Sequence, residues 1–105
     1  IVYLDTSGNW KKAQANSTTK SIGLLGIALG NNAGNNGILL RGMFTLDHDV
    51  GNNQGIPLYL SDTTAGQAIT TAPNTSGDIV RIIGYNLGDN DEIWFSPDNT
   101  FVEVA

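Results

Sequence analysis

The amino-acid sequence predicts an all-β fold, a small β-barrel or sandwich built from two related half-units with pseudo-two-fold symmetry. Thirteen glycines and many asparagines separate short runs of apolar residues, a pattern typical of strands joined by turns. The chain also repeats itself, and a repeat of this length indicates a duplicated structural unit. With 105 residues, both copies together have the size of one ordinary domain.

The repeat is clearest where glycines and apolar residues recur in the same order. Val2-Tyr3-Leu4 near the start is matched by Leu58-Tyr59-Leu60 in the second half. From Gly8 to Gly30 each residue lies 58 positions before its partner, and past that turn the spacing falls to 55, so that Ile38 matches Ile93. The single domain 1–105 is therefore divided into half-units 1–46 and 56–105, with a polar connector at 47–55.

Within each half, the apolar runs between turns predict short strands. The runs 22–29 and 79–87 are the most continuous, and we expect them to pair near the pseudo-two-fold axis and to form the core, with Leu25 and Ile83 buried. Helix is predicted only as a single turn around 13–20. The other predicted strands are 1–5, 10–15, 38–46, 57–60, 68–72, 92–95 and 100–104.

Composition excludes several classes of function. The net charge is −5, and the five cations form no basic stripe, which argues against a nucleic-acid partner. Cysteine is absent, so thiolate metal sites and disulfides are excluded, and no apolar run is long enough for a transmembrane helix. Because the sequence begins with Ile1 and not Met, within a predicted strand, we expect the chain to be the C-terminal part of a longer product.

Differences between the equivalent halves indicate where function could lie. The second half carries more large aromatic residues near its end, and Trp10 has only an alanine opposite it. Two interpretations are open: these aromatics fill one end of the fold, or they contact a partner, since Trp, Tyr and Phe are enriched at interfaces. The candidate interface or ligand contacts are Trp10, Trp94, Phe95 and Phe101.

One cluster has the residue types of a chemical site. Asp47-His48-Asp49 holds the only histidine between two carboxylates, which could bind a divalent cation or support catalysis. The structural alternative is a solvated connector in which the aspartates cap turns. The same applies to Asp89-Asn90-Asp91-Glu92, which resembles the start of a calcium loop but lacks its ligand ladder. We predict turns at both places, no metal, no cofactor and no enzymatic activity.

A family resemblance covers nearly the whole chain. It rests on these segments: 23–30 (GLLGIALG), 37–42 (GILLRG), 46–49 (LDHD), 57–61 (PLYLS) and 93–103 (IWFSPDNTFVE). Together they are similar to the C-terminal β domain of tailed-phage virion proteins, of the tail-fibre, head-fibre or capsid-decoration type. The resemblance implies a structural module of the virion, made in the host cytoplasm, that assembles as a homotrimer and contacts other virion proteins.

The alternative function is recognition of a host surface glycan. Its site would be an exposed aromatic residue beside polar groups, with Trp10 or Trp94 next to Asn90 and Asp91 as the candidates. A hydrolase would instead need two convergent carboxylates among Asp47, Asp49, Asp89 and Asp91. Two glycosylation sequons, at Asn16 and Asn74, occupy equivalent loops of the repeat, and inheritance through the repeat explains the coincidence.

Overall fold

The computed structural model describes residues 1–105, apart from the side chain of Asp89. Strands account for 34% of the residues and helices for 6%, which confirms the all-β prediction. The strands of the described chain are β1 Val2–Leu4, β2 Trp10–Lys12, β3 Leu25–Ala28, β4 Ile38–Leu39, β5 Gly42–Thr45, β6 Pro57–Leu60, β7 Ala68–Ile69, β8 Ile79–Val80, β9 Ile82–Asn86, β10 Glu92–Phe95 and β11 Val102–Glu103.

Three antiparallel sheets share the strands. The first has four strands in the order β2-β1-β3-β4, the second has five in the order β5-β10-β9-β6-β7, and the third pairs β11 with β8. Residues of the first two sheets meet in one core cluster. Its buried members are Tyr3, Ala13, Ala15, Leu25, Ile27, Leu46, Val50, Leu58, Leu60, Ala68, Ile79, Ile83, Ile93 and Phe95.

The sequence repeat corresponds to a repeat of strand order. The order β2-β1-β3-β4 in the first half recurs as β7-β6-β9-β10 in the second. The register recurs as well, because Ala28 pairs with Ile38 in the first half and Asn86 pairs with Ile93 in the second. The repeated sequence therefore specifies the same order of four strands twice.

Glycine at two equivalent positions is explained by close approach of neighbouring strands. A side chain at Gly26 would collide with Ile38 of β4, and one at Gly84 would collide with the carbonyl oxygen of Trp94 on β10. In each half, the third strand thus packs so tightly against the fourth that only glycine fits.

Burial does not follow the repeat to the same extent. Ile27 is 3% exposed, whereas its equivalent Tyr85 is 41% exposed. Ala28 is exposed, whereas its equivalent Asn86 is fully buried. Because neighbouring residues of a strand face opposite sides, the two copies turn opposite faces toward the core here. Pseudo-two-fold symmetry and closure of a barrel stay predictions.

The predicted pairing of 22–29 with 79–87 is wrong. Strand β3 pairs with β1 and β4, while β9 pairs with β6 and β10, so both edges of each strand are occupied within its own sheet. The expectation that Leu25 and Ile83 are buried is confirmed, at 2% and 0% exposure. The halves are joined instead by β5, which leaves the first half and pairs with β10.

The connector 47–55 is only partly the solvated segment that the sequence suggests. Val50 is 4% exposed and belongs to the core. The fully buried Asn86 holds the connector in place: its Nδ2 donates hydrogen bonds to the carbonyl oxygens of Val50 and Gly51, at 3.1 and 3.0 Å. Its Oδ1 accepts a hydrogen bond of 2.9 Å from the backbone N–H of Gly88.

Helical structure lies elsewhere than predicted. Residues 13–20 form turns, and the short helix is α1, Ala33–Asn36. Its N-cap is Asn32, whose side chain accepts hydrogen bonds from the N–H groups of Gly34 and Asn35. An asparagine cap can thus stabilise one turn within a glycine- and asparagine-rich loop. Within the described chain, neither this helix nor the 3-10 turn 89–91 has the length and apolar character needed to cross a membrane.

Candidate functional site

The four aromatic candidates lie in different environments. Trp94 and Phe101 are both 39% exposed, and Trp10 is half-buried on β2. Phe95 is fully buried in the core, so its ring cannot contact a partner at the surface. For this residue the other interpretation holds, in which the aromatic ring fills the interior of the fold. Since β10 alternates between the two faces of its sheet, Trp94 points outward where Phe95 points inward.

Trp94 is the centre of a row of exposed side chains across the five-stranded sheet. It pairs with Met43 of β5 on one side and with Tyr85 of β9 on the other. Directly paired residues point to the same face, so the three side chains lie next to one another. Met43 is 66% exposed and Tyr85 41% exposed. We call this row of Met43, Trp94 and Tyr85 the outer ladder.

The outer ladder ends on an edge strand. Strand β5 is the first strand of the five-stranded sheet, so one side of its backbone is unpaired within the described chain. An exposed edge that carries a large apolar side chain is a site where another chain can add. The sequence analysis identified Trp94 as a candidate but missed Met43. Because side chains alternate along a strand, the position of Met43 next to the half-buried Phe44 would have indicated that Met43 is exposed.

A groove lies where β10 ends, beside the loop 96–99. Its volume is about 400 Å³. A second depression of about 310 Å³ shares Arg41, Ser96, Pro97 and Asn99 with it and extends to Tyr85 of the outer ladder. We call the first of these the arginine groove, because it contains two of the five cations of the chain. It is lined by Ile22, Gly23, Leu24, Leu25, Leu40, Arg41, Arg81, Ser96, Pro97 and Asn99.

Arg81 joins the loops that form this groove. It is only 4% exposed, and its Nε donates to the carbonyl oxygen of Asp98 at 2.7 Å. Its Nη1 donates to the carbonyl oxygens of Ser21 and Gly23, at 2.8 and 2.7 Å. Burial lowers the pKa of the Arg81 guanidinium, and the negative charge of Asp98 partly opposes that effect. The sequence offered no signal for this role beyond an arginine in an apolar strand.

The Asp47-His48-Asp49 segment has a structural role, because His48 joins it to strand β7. The His48 side chain is 11% exposed; its Nδ1 lies 2.9 Å from Oδ1 of Asp47, and its Nε2 accepts a hydrogen bond of 3.0 Å from the N–H of Ala68. Asp49 accepts from the N–H of Gly51, as a turn-capping aspartate does. Among the described side chains, no group of three or more His, Asp or Glu could hold a metal ion.

The carboxylates suggested for a hydrolase have local partners. Asp91 accepts a hydrogen bond of 3.2 Å from the N–H of Val50, and Asp47 points to solvent beside His48. Asp89 falls outside the described side chains. At the sequons, Asn16 and Asn74 are both exposed.

A different pair of carboxyl groups interacts. A hydrogen bond with the Asp62 side chain, with burial as the next cause, raises the pKa of Asp78 above its ordinary range. Asp78 also accepts a hydrogen bond from the N–H of Thr75. The two aspartates are far apart in the sequence, and no spacing motif announces their contact.

Replacing Asp62 by asparagine is expected to raise the melting temperature at pH 7. Because the pKa of Asp78 is raised, the folded protein binds this proton more tightly than the unfolded chain. Stability is therefore lost as the pH rises above the ordinary aspartate pKa of about 3.9. The advantage of the variant should shrink as the pH is lowered toward that value, as measured by thermal unfolding with circular dichroism.

Asp49→Asn is the matched control for Asp62→Asn. It removes the same charge from an exposed aspartate and keeps an oxygen that can accept from Gly51. If both variants raise the melting temperature at pH 7 by the same amount, the increase comes from reduced charge repulsion in general and not from the loss of the carboxyl pair.

Comparisons with protein-family models, with curated proteins and with solved structures found no match for this chain. The class that the geometry itself defines is a small all-β domain with an exposed apolar ladder at a sheet edge and a groove containing two arginines.

Proposed function

We propose that this domain is a structural module of a phage virion, a surface fibre or capsid-decoration domain that acts by assembling with copies of itself and with other virion proteins. The proposal joins the resemblance of segments such as 93–103 to virion β domains with one structural observation, the outer ladder. It places the domain on the extracellular particle and favours a homotrimer.

The composition of the outer ladder supports an assembly role. Trp and Tyr are the residues most enriched at the energetic centres of interfaces, and Met is also enriched in interface cores. Here one of each lies side by side on a face that the fold leaves exposed, at 66%, 39% and 41% for Met43, Trp94 and Tyr85. Such a row has no role in the core, whereas a second chain would cover it.

Strand pairing fixes the backbone of the face that carries the ladder. Each of its residues lies within a strand that is paired on at least one side, and β10 and β9 are paired on both. A backbone that is already ordered loses little conformational entropy when the surface binds, which favours a stable contact.

Replacing Trp94 by lysine is expected to disrupt the assembly while the monomer stays folded. Light scattering coupled to size-exclusion chromatography should give a trimer mass for the wild type at high concentration. Loss of an interface tryptophan typically costs 2 kcal/mol or more, so association should weaken by about 30-fold or more. The circular-dichroism spectrum should keep its β form.

Val102→Lys is the control for this experiment. Val102 is 61% exposed on β11, outside the five-stranded sheet, and the substitution adds the same charge. A wild-type mass of one copy at every concentration would contradict self-assembly, and a mass of two copies would contradict the trimer. Equal effects of the two substitutions would contradict the role of the outer ladder.

A further inference from the structure

The arginine groove contains a buried positive charge without a paired carboxylate. Arg81 is 4% exposed, and all three of its hydrogen bonds go to backbone carbonyl oxygens. Among the described side chains, no carboxylate lies within ion-pair distance of it. A buried charge is usually paired, because removing it from water is costly.

One nitrogen of Arg81 is available to a ligand. Nε and Nη1 make the three hydrogen bonds, and Nη2 has no partner among the described residues. Since no buried side-chain nitrogen there lacks a partner, Nη2 reaches solvent, and Arg81 lines the groove. Arg41 lines the same groove and is exposed, and its Nε donates to the Ser96 hydroxyl at 3.3 Å.

Besides the two arginines, the groove has the polar side chains of Ser96 and Asn99 and an apolar side formed by aliphatic residues. Ile22, Leu24 and Leu40 are 40%, 51% and 51% exposed, so three aliphatic side chains are open to solvent beside the two cations. This combination suits a ligand with a negative group at one end and an apolar body. A volume of about 400 Å³ lies in the range of pockets that hold small molecules.

The backbone around the groove makes phosphate a poor fit. Phosphate sites usually offer several free N–H groups. Here the N–H groups of Ser96 and Asp98 already donate to Ile83 and Ile82, and the N–H of Thr100 donates to the Asp98 carboxylate. That carboxylate also repels a dianion more strongly than a monoanion.

We propose that the arginine groove binds an organic carboxylate with an apolar body. The carboxylate lies between Arg81 and Arg41, and the body covers Leu24 and Leu40. Guanidinium groups bind planar carboxylates through charge-assisted hydrogen bonds. The ligand carboxylate would also neutralise the charge of Arg81, which has no carboxylate partner among the described side chains. The arginine groove contains no residue of the outer ladder, although the adjoining depression reaches Tyr85, and the proposal does not require self-assembly.

The test is an NMR titration of the intact domain with sodium hexanoate. We expect saturable shifts of the Arg81 Nε–H signal and of the backbone amides of residues 22–24, Ser96, Asp98 and Asn99. Hexan-1-ol, which has the same body without the charge, and sodium phosphate should each bind at least about tenfold more weakly, since losing a charge-assisted contact is worth about that factor. Phosphate binding as tightly as hexanoate would overturn the proposal in favour of general anion attraction.

Two variants locate the site without touching the buried arginine. Arg41→Gln removes the charge but keeps a polar side chain that can donate hydrogen bonds, and it should weaken hexanoate binding about tenfold. Lys12→Gln removes the same charge from a residue outside the groove and should leave the dissociation constant unchanged. The proposal is overturned if hexanoate causes no saturable shifts in the groove, or if both variants bind it like the wild type.

Discussion

Replacing Phe95 by alanine is expected to lower the free energy of unfolding by about 3–5 kcal/mol, the usual range for a buried phenylalanine. The ring is fully buried in the core, on a strand that is paired on both sides. Neither β9 nor β5 can move in to fill the cavity without breaking its pairing with β10. For a domain of this size the melting temperature should fall by more than about 10 °C.

Phe101→Ala is the matched control for this prediction. It removes the same ring from a residue that is 39% exposed, so its cost should stay within about 1 kcal/mol. Urea unfolding of both variants measures the two costs. Similar losses at the two positions would show that Phe95 is not the core residue described above.

Replacing Asn86 by alanine is expected to cost about 2–4 kcal/mol, because buried groups that lose their partners pay their full desolvation cost. The N–H of Gly88 and the carbonyl oxygen of Val50 would both lose a hydrogen bond inside the protein. The connector 47–55 should also loosen. Hydrogen exchange at the Gly88 amide, which loses its acceptor in the variant, should therefore become faster.

Asn53→Ala provides the comparison, since Asn53 is an exposed asparagine of the same connector. Its effect on stability should stay within about 0.5 kcal/mol. If Asn86→Ala costs no more than this control, the side-chain bonds to the connector contribute nothing measurable.

Local features of the fold could be predicted well from the sequence. Strands 57–60 and 92–95 were predicted with the bounds that the structure shows. The turn glycines Gly8 and Gly66 adopt nearly the same left-handed φ, 85° and 84°, as their equivalent places in the repeat suggest. Apolar runs and turn residues act over a few neighbouring positions, so their pattern is visible in the chain itself.

Partners in space could not be predicted in the same way. The prediction that 22–29 pairs with 79–87 failed, because an apolar run indicates that a strand is buried but does not indicate which strand lies beside it. The run 38–46 was predicted as one strand, yet it divides into β4 and β5, which belong to different sheets. That division brings Met43 next to Trp94 and creates the outer ladder.

The two arginines of the groove illustrate the same limit. Arg41 and Arg81 come from different halves, and only the folded loops bring them to one cavity. Nothing in their local sequence distinguishes an exposed arginine from one whose charge is held by three carbonyl oxygens.

By itself, the sequence determined the all-β class and most strand positions, because these depend on short-range periodicity and on turn residues. The tertiary structure alone decided the burial of residues 27–28 and of their equivalents 85–86, whereas the equivalent Leu25 and Ile83 are buried in both halves. It exposed Tyr85 where its equivalent Ile27 is covered, and it buried Asn86 where its equivalent Ala28 is exposed. Burial depends on which other elements pack against a strand, and the sequence of the strand itself does not specify those elements.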